Sequence, residues 1–198
     1  MAARTGMSQL ILDLRARSNA GTSDYTLGSE TYFSDDQLQT VLDSQRRDIF
    51  AEPLVPVTNL VDGGSAITLD YFFNAQFVEQ NTSGTVAWEL ETTAGSAIGT
   101  ANYTVEYEAN RIRFTADQAG TAYNLTYRRY NLFKATALVL RQKAAQSASR
   151  FDVKVDNHDL RLSQLMKNYL TMASVWEIQQ GSKTVERVRT DVVWNADI

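Results

Sequence analysis

Apolar residues recur at helical spacing in four segments, two near the start of the chain and two in its second half. Met7, Leu10, Ile11 and Leu14 share one face of a segment over 5–17. Leu38, Val41, Leu42, Gln45 and Ile49 do the same over 35–50. The start of this second helix is well specified. Ser34 is the N-cap, with Gln37 at the capping-box position and Phe33 and Leu38 placed as a hydrophobic staple. Asp35 and Asp36 put negative charge against the positive end of the helix dipole. Arg46 and Arg47 suit its last turn, and Pro53 cannot continue it. The stretch between the two helices, "SNAGTSDYTLGSETY", reads as a loop.

A third helix is predicted over 132–149, with Leu132, Ala135, Val139, Leu140 and Ala144 facing inward. A fourth, over 160–180, is capped by Asp159 and stopped by Gly181. Its inner stripe is Leu162, Leu165, Met166, Tyr169, Ala173 and Trp176.

Between the second and third helices the period changes to two. Strands rich in aromatic and β-branched residues are predicted at 54–61, 66–73, 85–91, 103–107, 111–115 and 122–130. "YTVEYEANRIRFT" reads as a hairpin turning near 108–110. Six short strands suit a small antiparallel sandwich or barrel. After Gly181, Val188, Thr190, Val192 and Trp194 alternate on one face. The expected fold is therefore α+β. A four-helix bundle is built from 1–50 and 131–181, a small antiparallel β domain is inserted at 51–130, and an extended C-terminal arm covers 182–198.

Composition narrows the function. No apolar run in the 198 residues approaches the length that spans a bilayer, and the first residues lack the apolar centre of a signal peptide. Cysteine is absent, so there are no disulfides and no thiolate chemistry. A cytosolic origin fits, as does a virion protein assembled in a cytosol. The net charge of −4 gives no whole-chain footprint for nucleic acid. The charge is uneven, however. Residues 51–130 hold nine acids and four bases, a net of −5, which sets this segment apart from its flanks.

Catalytic chemistry finds little support. His158 is the single histidine, and neither a G-x-S-x-G nucleophile motif nor a phosphate loop occurs. Asp62-Gly63-Gly64-Ser65 lacks the lysine and following helix of a phosphate cradle and reads as a turn. The run from Asp152 to Asp159 gathers oxygen ligands without EF-hand spacing, and is better read as a cap and a solvated loop. Glu89 and Glu91 share one strand face rather than flanking a cleft. No enzyme, cofactor or metal is expected.

Three binding readings remain. Lys134, Arg141, Lys143 and Arg150 form a basic set on the third helix, suited to a solvated face, an acidic neighbouring subunit or DNA phosphates. Tyr123, Tyr127 and Tyr130 are candidates for an exposed glycan platform, although burial is the ordinary fate of strand tyrosines. The arm residues Val185, Val188, Val192, Val193 and Trp194 suit packing on the chain's own bundle or docking on a partner.

Three stretches carry a family resemblance. "YFSDDQLQTVLD" resembles the acidic-capped second helix of the head–tail adaptor (connector) proteins of tailed bacteriophages. "ALVLRQKAAQSASRFDVKVDNHDLRLSQLMKNYLTMAS" resembles that family's two closing helices, and "YTVEYEANRIRFTADQAGTAYNLTYRRYN" the β module inserted before the third helix in some phage neck proteins. The resemblance implies a structural virion protein of the neck, assembled in the host cytoplasm. Its subunits form a homo-oligomeric ring, by family likeness a dodecamer, between the portal and a tail-side stopper or tail terminator protein. DNA passes through without being specifically bound, and no membrane is involved. The resemblance also favours a partner, the portal or a neighbouring subunit, for the arm. The rival reading is a carbohydrate-binding or adhesion module carried by the β domain.

Overall fold

The computed structural model describes residues 3–20, 25–27, 30–60, 66–80, 88–148, 153–155, 158–160 and 162–180. A 3-10 turn, Thr5–Met7, leads into α1 (Ser8–Ser18). A hairpin of β1 (Tyr25–Leu27) and β2 (Glu30–Tyr32) precedes α2 (Asp35–Asp43). The β segment runs through β3 (Arg46–Pro53), β4 (Val55–Leu60), β5 (Ala66–Phe72), β6 (Trp88–Thr92), β7 (Tyr103–Glu106), β8 (Arg111–Phe114) and β9 (Tyr123–Tyr130). α3 (Leu132–Ala148), a hairpin of β10 (Val153–Val155) and β11 (His158–Leu160), and α4 (Leu162–Gln180) complete the described chain.

The β segment folds as two antiparallel sheets, ordered β3-β9-β6 and β4-β5-β8-β7. Both prolines lie on edge strands, Pro53 at the end of β3 and Pro56 in β4, where a missing N–H is tolerated. The chain changes sheets at Leu54, which is buried and donates its N–H to the Tyr123 carbonyl at 2.9 Å. The sheets share one core, with Tyr71, Ile112 and Phe114 facing Trp88, Leu90, Tyr123, Leu125 and Tyr127. Phe114 stacks on Tyr123 at 4.9 Å, and Tyr71 meets each edge-on at 5.3 Å. These are favoured aromatic geometries, and they fix how the two sheets sit on one another.

β9 joins this sandwich to the helices. Tyr127 belongs to the sandwich core. Tyr130, three residues later and so on the opposite face, belongs to a second core with Met7, Leu10, Leu14, Leu38, Leu42, Leu132 and Val139. Asn131 follows directly and caps α3, its side-chain oxygen accepting the Lys134 N–H at 3.0 Å. The strand therefore passes into the helix without a loop.

Polar ties reinforce the junction. Arg4 grips both oxygens of Asp43, at 2.6 and 3.0 Å, and donates to Glu79 at 2.9 Å. Glu79 is fully buried and also accepts the Tyr130 hydroxyl at 2.6 Å. Beside them Gly6 accepts the Gln80 N–H at 3.0 Å, and a Cβ at Gly6 would stand 2.4 Å from the Gln80 carbonyl oxygen. Only glycine permits that approach.

The four-helix bundle is overturned. α1, α2 and one face of α3 enclose the helical core, whereas α4 packs against a different face of α3, where Ala137, Leu140 and Ala173 form a separate small cluster. The helices do not surround one common core, and eleven strands in the described residues make sheet the major element. The second helix also ends early, at Asp43 rather than 50. Gln45 and Ile49 keep the helical spacing, but Ile49 pairs opposite Tyr127 in β3, and the tertiary pairing prevails. Arg46 and Arg47 are accordingly strand residues. The loop expected after α1 contains the β1–β2 hairpin, and Asp159 lies in β11 opposite Lys154 instead of capping a helix. The arm at 182–198, and Gly181 before it, lie outside the described residues.

Candidate interaction surfaces

α4 is the element with the most exposed apolar surface. Over its nineteen residues it carries two charges, Lys167 and Glu177. Toward α3 it presents Ala173, flanked by Tyr169 and Trp176. Away from α3 it exposes Leu165, Leu170, Met172, Val175 and Ile178, the last at 74% of its accessible surface. Leu165, expected on the inner stripe, is thus a rim residue. A stable solvent-facing helix usually carries charge on its outer face. This one carries a single exposed lysine, Lys167, and otherwise apolar side chains among Gln, Asn and Thr.

Charged and aromatic contacts also hold α4 in place beyond its apolar seam. Glu177 pairs with Arg141 of α3 at 2.8 Å. The Trp176 ring stacks on Phe133, and the Arg17 guanidinium lies over Trp176, Phe133 and Phe77 at 5.3, 5.4 and 5.5 Å. This cation–π cluster links α1, α3, α4 and the β5–β6 connection.

The basic set is not one face. Lys134 is exposed, and Arg141 is engaged by Glu177. Lys143 is buried, with its ammonium donating to the Asn19 carbonyl at 2.7 Å and lying over the Phe33 and Tyr169 rings. It is removed from any lumen or inter-subunit role. Arg150 lies outside the described residues, as do Val185, Val188, Val192, Val193 and Trp194.

Tyr123, Tyr127 and Tyr130 are all buried, which removes them as an exposed glycan platform. Burial, followed by the hydrogen bond to Glu52, pushes the Tyr127 phenol well above its ordinary range. Burial, followed by the bond to Glu79, does the same at Tyr130. These hydroxyls serve as donors to carboxylates inside the fold.

Of the other exposed large apolar residues, Leu12 is on α1 and Phe50, Val55 and Phe72 are on the sheets. Phe50 stands out from a β-bulge in β3, where Ala51 takes a φ of 49° and the register shifts between Ile49 and Glu52. Val55 and Phe72 are cross-strand partners and both exposed. Glu89 and Glu91 alternate with buried Trp88 and Leu90 on the outward side of β6. Asp62 to Ser65 and Asp152 lie outside the described residues. Among those described, no group of three or more His, Cys, Asp or Glu is placed to hold a metal ion. No described helix is long and apolar enough to cross a membrane.

No protein-family model matches the chain, and no curated protein matches it significantly.

Proposed function

We propose that this protein is a structural assembly subunit that works through its interfaces, as a head-to-tail adaptor in the neck of a tailed bacteriophage. The observation that carries the reading is the outer face of α4. Met172, Val175 and Ile178 lie on it without cover from the rest of the described chain. Exposed apolar surface of this kind on an otherwise well-packed protein marks a contact site. The resemblance of the α2, α3 and α4 sequences to phage adaptors supplies the setting. Subunits associate as a closed ring between portal and tail-side proteins, and DNA passes through. On this reading Val185, Val188, Val192, Val193 and Trp194, which follow α4 in the chain, dock on the portal or on the neighbouring subunit.

The test uses Met172→Glu with Val175→Glu. Both positions are exposed, so the isolated variant keeps its helical signal and its melting temperature. It fails to assemble or to attach to portal-bearing heads. A variant that attaches as well as wild type removes α4 as the contact. Trp194→Ala, scored in the same assay, separates the contribution of the C-terminal residues.

A further inference from the structure

Four arginines meet where β3 runs beside the end of β9. The register sets Arg46 opposite Tyr130, Arg47 opposite Arg129, and Asp48 opposite Arg128. The two faces of this strand pair differ in how their charge is balanced. On one face Asp48 takes Arg46 at 3.1 Å and Arg128 at 3.8 Å, and Glu79 takes Arg128 at 3.7 Å. On the other face Arg47 and Arg129 stand directly across from each other, and no described carboxylate comes within ion-pair distance of either. Like charges directly opposite on a sheet are destabilising. The acid on their side, Glu52, accepts the Tyr127 hydroxyl. Arg47 is exposed and Arg129 half-buried, with Val78 bridged to Arg129 from its other side. Both arginines lie on the face of the neighbouring Ile49–Tyr127 pair, two residues along each strand from it.

We propose that Arg47 and Arg129 form a fork that receives a carboxylate side chain from a second protein chain. A guanidinium matches the planar carboxylate bidentately, and this protein already uses that pairing internally, between Arg4 and Asp43. A nucleic-acid backbone is a poorer fit. Polyanions are held along a track of cations, and here two unbalanced charges stand among Asp48, Glu52 and Glu79. The fork rests on the interface reading given above only for its partner. Its capacity to hold a carboxylate is a separate property and can be tested without assembly.

The experiment follows thermal unfolding of the full chain at constant ionic strength while sodium chloride is replaced by sodium glutarate. The wild-type melting temperature rises saturably with glutarate, while Arg47→Gln and Arg129→Gln show no such rise. In chloride alone both variants melt at or above wild type, because the opposed charges are gone. The proposal is overturned if wild type gains nothing from glutarate. It is equally overturned if the variants gain as much, or if they melt well below wild type in chloride. A short DNA duplex at the same ionic strength leaves the melting temperature unchanged. Protection by the duplex but not by glutarate would reassign the pair to phosphate. Failure of the fork leaves the α4 reading standing, since that is decided by assembly.

Discussion

α3 and α4 have nearly the same length and both carry many apolar residues, yet they end in different surroundings. α3 is covered on two faces, with Leu132, Ala135 and Val139 in the helical core and Ala137 and Leu140 against α4. α4 is covered on one, where Ala173 is its buried contact residue, and five large apolar residues stay exposed. Helical periodicity identifies an apolar face. It does not identify what covers that face. On the function proposed above, an apolar helix that the described residues cover on one side is completed by another molecule.

The comparison is broken most severely at the seam the two helices share. Leu140→Ala empties a fully buried site and should cost about 2–5 kcal/mol in denaturant unfolding. Val175→Ala, on the outer face of α4, should stay within about 0.5 kcal/mol in the same measurement. Similar losses at the two positions would mean that α4 is covered within its own subunit.

Polar anchoring gives a second, smaller contrast. Arg4→Ala removes the guanidinium facing fully buried Glu79. It should cost about 1–3 kcal/mol, the range for a buried acceptor that loses a partner, moderated because Glu79 keeps the Tyr130 hydroxyl and Arg4 itself is partly exposed. Arg141→Ala removes an exposed pair with Glu177 and should cost no more than about 1 kcal/mol. Chemical denaturation of the two variants side by side ranks them.

The sandwich offers the smallest effect, and it depends on pH. The N–H groups of Thr68 and then Ala119, at 2.8 and 2.9 Å, hold the Asp117 carboxyl below the usual carboxylate range. A lowered folded-state value means that its stabilisation is present above the ordinary carboxylate pKa and is lost as pH falls through the folded value. Asp117→Asn should therefore melt below wild type near neutral pH, and the gap should close in acid. A gap that persists in acid would assign the loss to geometry rather than charge.

Much of this architecture was legible because local and tertiary preferences agree. The Ser34 cap accepts the Gln37 N–H, Gln37 reaches back to the Phe33 N–H, and the stripes of α1 and α3 are buried. Six strands lie close to the period-two runs that mark them. The failures share a cause, which is that the deciding partner is distant in sequence. β3 was hidden because 46–49 continues a helical pattern, and its pairing partner β9 lies about eighty residues away. Lys143 looked like a surface base, but its stem is apolar and its ammonium finds a carbonyl and two rings across the core. The bundle failed because four apolar stripes say nothing about whether they share one axis. The Arg47–Arg129 pairing could not be seen until the strand register was known. Neither was the exposed face of α4, because its inner and outer positions are both apolar.

The central claim, that the outer face of α4 is covered by another chain in the assembled state, is tested most directly by methionine oxidation footprinting. Met172 is exposed in the subunit and Met7 is fully buried in the helical core, so one reports on the interface and the other serves as an internal reference. With dilute peroxide, Met172 should oxidise readily in the isolated protein and be protected in the assembly, while Met7 stays slow in both. Equal oxidation of Met172 in the two states would show that α4 remains open to solvent and would contradict the account.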